Sequence, residues 1–220
     1  PAVVLIHGGP GGHRTWREGG PRLEGRCRLV MPDLRGFAGS DRPQEVDSYA
    51  TGVLIDDIFA LADELGLESF ALVGHDWGGA IAWGAALRGD PRLTKLAIVN
   101  APHPVVFQKS LIEDADQRSA SQYITAFRTP GFEKAVEAMG FEAFFDKTFG
   151  GHVDLAAIPA QERAQYVAEW SQPGALTAMV HYYRAALRAA APAPALAPVG
   201  DTEQALPRYE HAGRDRTARM

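Results

Sequence analysis

The residues with the most chemical content surround an aspartate framed by glycines. An apolar run at residues 70–73 leads into Gly74-His75-Asp76-Trp77-Gly78-Gly79, and the helical Ala80-Ile81-Ala82-Trp83 follows. A sharp strand-to-helix turn needs a small residue two before and two after its central one, because larger side chains would collide with neighbouring backbone. Gly74 and Gly78 hold those places. The turn thrusts the Asp76 side chain out at the carboxyl end of a sheet, beneath the first turn of a helix. An aspartate there can cap the helix by accepting its free amides, or it can be a nucleophile. A carboxylate displaces at saturated carbon and leaves an alkyl ester, whereas serine in this turn suits acyl transfer, so Asp76 argues against an esterase, lipase or peptidase.

A second stretch aims at the same edge. The strand predicted at 2–6 ends in His7-Gly8-Gly9-Pro10-Gly11-Gly12, a turn able to expose backbone N–H groups. The amides of Gly9 and Trp77 would then form an oxyanion hole beside Asp76. His7 fits best as a residue that fixes this loop. His75 precedes the nucleophile with its side chain expected to point away from the site, and His103, His152 and His181 lie in no motif and read as packing residues, while Asp33 and Asp41 read as holding loop backbone and Arg35-Gly36 as shaping a turn.

Three motifs in order carry a family resemblance: H-G-x-P at His7 to Pro10, Pro32-Asp33-Leu34-Arg35-Gly36-Phe37 with Gly39-Ser40-Asp41, and G-H-D-W-G-G at Gly74 to Gly79. By these the chain resembles the epoxide hydrolase branch of the α/β-hydrolase fold, with haloalkane dehalogenases as near relatives. The resemblance implies a mostly parallel sheet with helices on both faces and an inserted helical cap. It also implies Asp76 as nucleophile, opening an epoxide through an alkyl-enzyme ester that water hydrolyses to a diol. Ring opening needs a donor for the epoxide oxygen. Family members resemble this chain at Ser121-Gln122-Tyr123-Ile124-Thr125-Ala126-Phe127 and at Tyr182-Tyr183-Arg184, which makes Tyr123 and Tyr183 the implied donors; amphipathic packing is their plainer role. Haloalkane dehalogenases lack this pair and hold the halide with the elbow tryptophan and a second donor, often at the x of H-G-x-P, which here is Gly9. HGGPGG also resembles proline iminopeptidases, which carry serine at the elbow.

Hydrolysis of the ester needs a histidine base oriented by a carboxylate. Gly200-Asp201-Thr202-Glu203-Gln204-Ala205-Leu206 resembles the acid-bearing loop, with Glu203 at the acid position. No residue matches the histidine; His211 follows Glu203 too closely. With Pro1 opening directly into a strand, these features lead to the expectation of a chain cut at both ends, lacking N-terminal strands and the C-terminal strand and histidine segment. Two alternatives stand beside the epoxide hydrolase: a dehalogenase-like hydrolase and a catalytically incomplete fragment.

The surrounding elements suit these roles. Strands at 28–31 and 96–100 join those at 2–6 and 70–73, alternating with a helix at 53–65 that puts Leu54, Ile55, Ile58, Leu61, Ala62 and Leu65 on one face. After Ala101-Pro102-His103-Pro104 only helical patterns follow, at 112–128, 132–139, 160–171 and 176–187. The expected division is therefore a core over 1–102, a helical cap over 103–188 and an Ala/Pro-rich linker with residual tail over 189–220. Among 220 residues, 46% are hydrophobic and 22% charged, which suits one globular enzyme. A formal charge of -5 argues against a nucleic-acid partner. The single cysteine, Cys27, excludes a disulfide within the chain and fits a cytoplasmic setting, and no run is apolar enough to span a membrane. No metal-ligand spacing or nucleotide fingerprint is present, so no cofactor is expected. The expected partners are a small apolar epoxide and water.

Overall fold

The computed structural model describes residues 1–151 and 153–189, the side chains at 188 and 189 excepted. Its centre is a parallel sheet of four strands, β1 (Ala2–Ile6), β2 (Arg28–Val30), β3 (Phe70–His75) and β4 (Leu93–Val99), in the order β2-β1-β3-β4. The central pair is the most apolar. Val4, Ile6, Phe70 and Leu72 are each at most 1% exposed, as expected of parallel strands that cannot leave a face to water.

Helix α1 (Thr51–Glu64) buries Leu54, Ile55, Ile58, Phe59 and Ala62, at helical spacing, and sets Phe59 edge-on against Phe70 of β3. It stops where Gly66 takes φ +62°, a left-handed C-terminal conformation that glycine adopts without penalty. Helix α2 (Trp77–Leu87) starts directly from β3, lies beside α1, and buries Gly78, Gly79, Ile81, Ala82 and Ala85. Burial of each large aliphatic side chain in this layer contributes about 1.5–3 kcal/mol.

Beyond β4 the described chain is helical: α3 (Pro104–Glu113), α4 (Ala115–Ala120), α5 (Gln122–Arg128), α6 (Phe132–Met139), α7 (Phe141–Phe149), α8 (Ala160–Trp170) and α9 (Ala175–Ala189). The single helix expected at 112–128 is instead broken twice. Asp114 leaves helical geometry at φ -109°, ψ 117°, and its carboxylate caps α4 by accepting the Asp116 and Gln117 amides. Helix α7 was not foreseen. It contributes Phe144 and Phe145 to an aromatic cluster with Phe149, Tyr166 and Trp170.

Two buried aromatic side chains help to anchor these helices on the loops of the sheet. Tyr182 of α9 is 1% exposed, packs against Phe37 and Tyr49 and donates its hydroxyl to the Arg35 carbonyl at 2.7 Å. Trp170 at the end of α8 donates its indole N–H to the Pro10 carbonyl at 2.8 Å. Pro1–Arg188 form one compact unit. Among the described residues, no helix is long and apolar enough to cross a membrane.

Candidate active site

The parallel register places the two key loops side by side. Ile6 of β1 is level with Gly74 of β3, so His7-Gly8-Gly9 and His75-Asp76-Trp77 leave the same end of the sheet as neighbours. Asp76 has φ 53° and ψ -118°, a left-handed conformation that an L-residue adopts only when its surroundings impose it. The glycines on either side permit the tight packing around it. A Cβ on Gly74 would lie 2.3 Å from the Gly78 carbonyl oxygen, and one on Gly78 would lie 2.4 Å from that of Ile6.

Asp76 does not cap α2 with its side chain. Its Oδ1 instead accepts the Gly9 amide at 3.1 Å. Burial raises the pKa of Asp76, while the Trp77 amide, the charge of His75 and the Gly9 amide oppose that rise. The two amides singled out from sequence thus both act on this carboxylate.

His7 holds the neighbouring loop. It is fully buried, its Nε2 accepts the Leu34 amide at 2.9 Å and its Nδ1 lies 3.0 Å from the Gly8 carbonyl oxygen. An Nε2 that accepts leaves the proton on Nδ1, which donates to Gly8. The ring is therefore neutral; desolvation pushes its pKa down to about 4. Asp33 also binds backbone: it accepts the His13 amide and lies against the His13 ring, both at 2.8 Å. Burial raises its pKa, but these bonds outweigh that and leave it lowered.

The two tyrosines converge on the elbow. Tyr183 of α9 is 9% exposed and packs edge-on against Trp77 at 5.1 Å and Tyr123 at 6.1 Å between ring centroids. Burial raises its pKa well above 10, the Asp76 charge adds to this, and a hydrogen bond from the Trp77 side chain partly offsets it. Tyr123 of α5 is half exposed, and its pKa is raised by desolvation and then by the charge of Asp76. Both phenols therefore stay protonated at neutral pH and feel the same carboxylate. Arg128, on the helix that carries Tyr123, donates Nε to the Tyr183 carbonyl at 2.9 Å.

Other side chains settle into supporting positions. His103 caps α3 by accepting the Val105 amide and packs on Trp83, and His181 Nε2 lies 3.0 Å from the Gln44 carbonyl oxygen. Among the described residues, no group of His, Cys, Asp or Glu is arranged to hold a metal ion. Glu203, His211 and His152 lie outside the described residues. Sequence reasoning gave no role to Tyr182, Phe37 and Arg128, the packing and hydrogen-bonding supports of the tyrosine pair; the doubled Tyr182-Tyr183 and the place of Phe37 in the second motif were the visible signals.

The sequence profile described as the alpha/beta hydrolase fold matches residues 1–139. The chain belongs to the α/β-hydrolase fold family. This α/β-hydrolase is similar to epoxide hydrolase 3 of Xenopus tropicalis, with 34% identity over 189 residues, which is 84% of this chain and 52% of the relative. It is also similar to the AB hydrolase superfamily protein YfhM of Bacillus subtilis, at 36% identity over 84% of this chain and 65% of the relative. Among solved structures, one described as novel epoxide hydrolases from metagenomes of hot environments superposes with TM-score 0.78 and 43% identity, covering 92% of this α/β-hydrolase and 68% of that chain. The Bacillus megaterium epoxide hydrolase does so with TM-score 0.77 and 30% identity, over 84% and 64% respectively. The chain thus spans between about half and two thirds of the length of these two curated relatives.

Proposed function

We propose that this chain carries the ring-opening machinery of an epoxide hydrolase, with Asp76 as nucleophile. One observation carries the reading: a carboxylate raised on a left-handed elbow and bound by the Gly9 amide lies within electrostatic reach of two protonated phenols, Tyr123 and Tyr183. The ionised carboxylate attacks an epoxide carbon, and its carbon–oxygen bond forms as the ring carbon–oxygen bond breaks. The departing oxygen takes a hydrogen bond and then a proton from a phenol. The product is an ester on Asp76. Its hydrolysis would place a tetrahedral oxyanion against the Gly9 and Trp77 amides. That step also needs a histidine base oriented by an acid, for which Glu203 is the candidate. In this reading residues 1–102 are the catalytic core and 103–188 the cap that supplies the phenols.

A dehalogenase reading is disfavoured because the Trp77 ring packs edge-on against Tyr183 and Gly9 offers no second side-chain donor. The test is to incubate the 220-residue chain with styrene oxide and weigh the intact protein. A stable adduct of one substrate mapped to Asp76 is the expected result. Diol formation with no label ever passing through Asp76, or the absence of both adduct and diol, would overturn the reading.

A further inference from the structure

A line of hydrogen bonds runs from α8 to the Asp76 carboxylate through two peptide groups. Trp170 Nε1 donates to the Pro10 carbonyl at 2.8 Å. The same peptide group presents the Gly11 amide, which donates to the Gly8 carbonyl at 3.0 Å. That second peptide group presents the Gly9 amide, which donates to Asp76 Oδ1 at 3.1 Å. Each peptide accepts at its oxygen and donates at its nitrogen, so every bond polarises the next in the same direction. The neutral His7 ring adds a second donor to the Gly8 carbonyl, 3.0 Å away. One residue before Trp170, Glu169 pairs with Arg14, just beyond the same turn. Trp170 itself is 2% exposed and locked among Phe144, Phe145, Phe149 and Tyr166.

We propose that Trp170 and Glu169 are positioning residues: from the end of α8 they clamp the Gly8–Gly11 turn and so hold the Gly9 amide on the nucleophile. Neither touches a reacting atom. Alignment of that donor then depends on α8 being seated, which couples the helical layer to the electrostatics of Asp76. The geometry is independent of the reaction, but its catalytic consequence rests on the epoxide reading above.

The test uses Trp170→Phe, which keeps an aromatic ring and deletes the donor, with near-ultraviolet circular dichroism to check packing. The first readout is the Gly9 amide proton in glycine-labelled full-length protein. In the wild type it lies downfield and follows the ionisation of Asp76; in the variant it moves upfield. The second is the pH dependence of styrene oxide adduct formation, whose acid limb moves upward by roughly half a unit as the carboxylate loses donor support. The other titratable groups acting on Asp76, namely His75 of β3, Tyr123 of α5 and Tyr183 of α9, are untouched by the substitution. If Trp170→Phe does not fold, Glu169→Ala carries the test, because it leaves the aromatic cluster intact and loosens the same turn. An unchanged Gly9 resonance and acid limb in a folded variant would overturn the clamp. Loss of the adduct in the wild type would overturn the epoxide reading alone, since the Gly9 resonance still reports on the clamp.

Discussion

Gly78→Ala puts the elbow argument at risk most directly. The added Cβ would lie 2.4 Å from the Ile6 carbonyl oxygen and 2.5 Å from that of His7. Ordinary carbon–oxygen contacts begin at about 3.3 Å, so α2 and the end of β1 must part by roughly 0.8–0.9 Å. No side-chain rotation can relieve this, because the obstructing atoms are backbone. Such a separation stretches the 3.1 Å bond from Gly9 to Asp76 to roughly 4 Å, beyond hydrogen-bonding range. Overpacking costs about 1–3 kcal/mol and the lost bond to a charged group about 1.5–3 kcal/mol. Alanine regains only about 1 kcal/mol of helix propensity. The net loss is about 3 kcal/mol, and Tm should fall by roughly 6–12 °C for a chain of this size. Calorimetry supplies the Tm, and intact-mass kinetics with styrene oxide supply the alkylation rate, expected to fall with it. A Tm within about 2 °C of wild type and an unchanged rate would refute the claim that glycine at 78 shapes the site.

Tyr183→Phe removes a phenol facing the elbow and should slow adduct formation on Asp76 by about 10²-fold or more, measured by single-turnover mass spectrometry; an unchanged rate would remove Tyr183 from ring opening. Asp76→Asn should abolish the adduct and raise Tm at neutral pH. Burial lifts the Asp76 pKa above its ordinary 3.8, so the native state pays for the charge at pH above that lifted value, and the advantage of Asn should disappear as pH falls below 3.8. For His7 the shift runs the other way, from 6.5 down to about 4. The unfolded chain takes up a proton first as pH drops, so this residue withdraws about 3 kcal/mol of stability between pH 6.5 and 4. Urea unfolding tests the loss, and a His7 Cε1 proton that titrates near 6.5 by NMR would contradict it.

The sheet and its elbow were legible because their determinants are local. Four apolar runs and two glycine-framed turns fix β1 to β4 and the left-handed Asp76 without reference to distant residues. The helical layer was less so. No helix was expected before residue 112, yet proline is favoured at the first position of a helix, and α3 begins at Pro104 under a His103 cap. Phe141, Phe144, Phe145 and Phe149 repeat at helical spacing and could have revealed α7. The break at Asp114 depends on a side chain outcompeting the helix for its own downstream amides, which periodicity does not register. The supports of the site were hidden for another reason. The partners of Arg128, Trp170 and Tyr182 are backbone carbonyls at residues 183, 10 and 35, and a carbonyl leaves no trace in residue type.

The elbow's conformation depends on Gly74 and Gly78, whose lack of a Cβ lets neighbouring backbone approach closely, and not on which side chain stands at 76. Shape and reactivity are therefore inherited separately. A lineage could exchange the side chain at 76 by changing one codon and test a different bond-forming chemistry on an unaltered turn, while the helices overhead drift to suit new substrates. Within this architecture the glycines are the slow variable and the nucleophile the fast one.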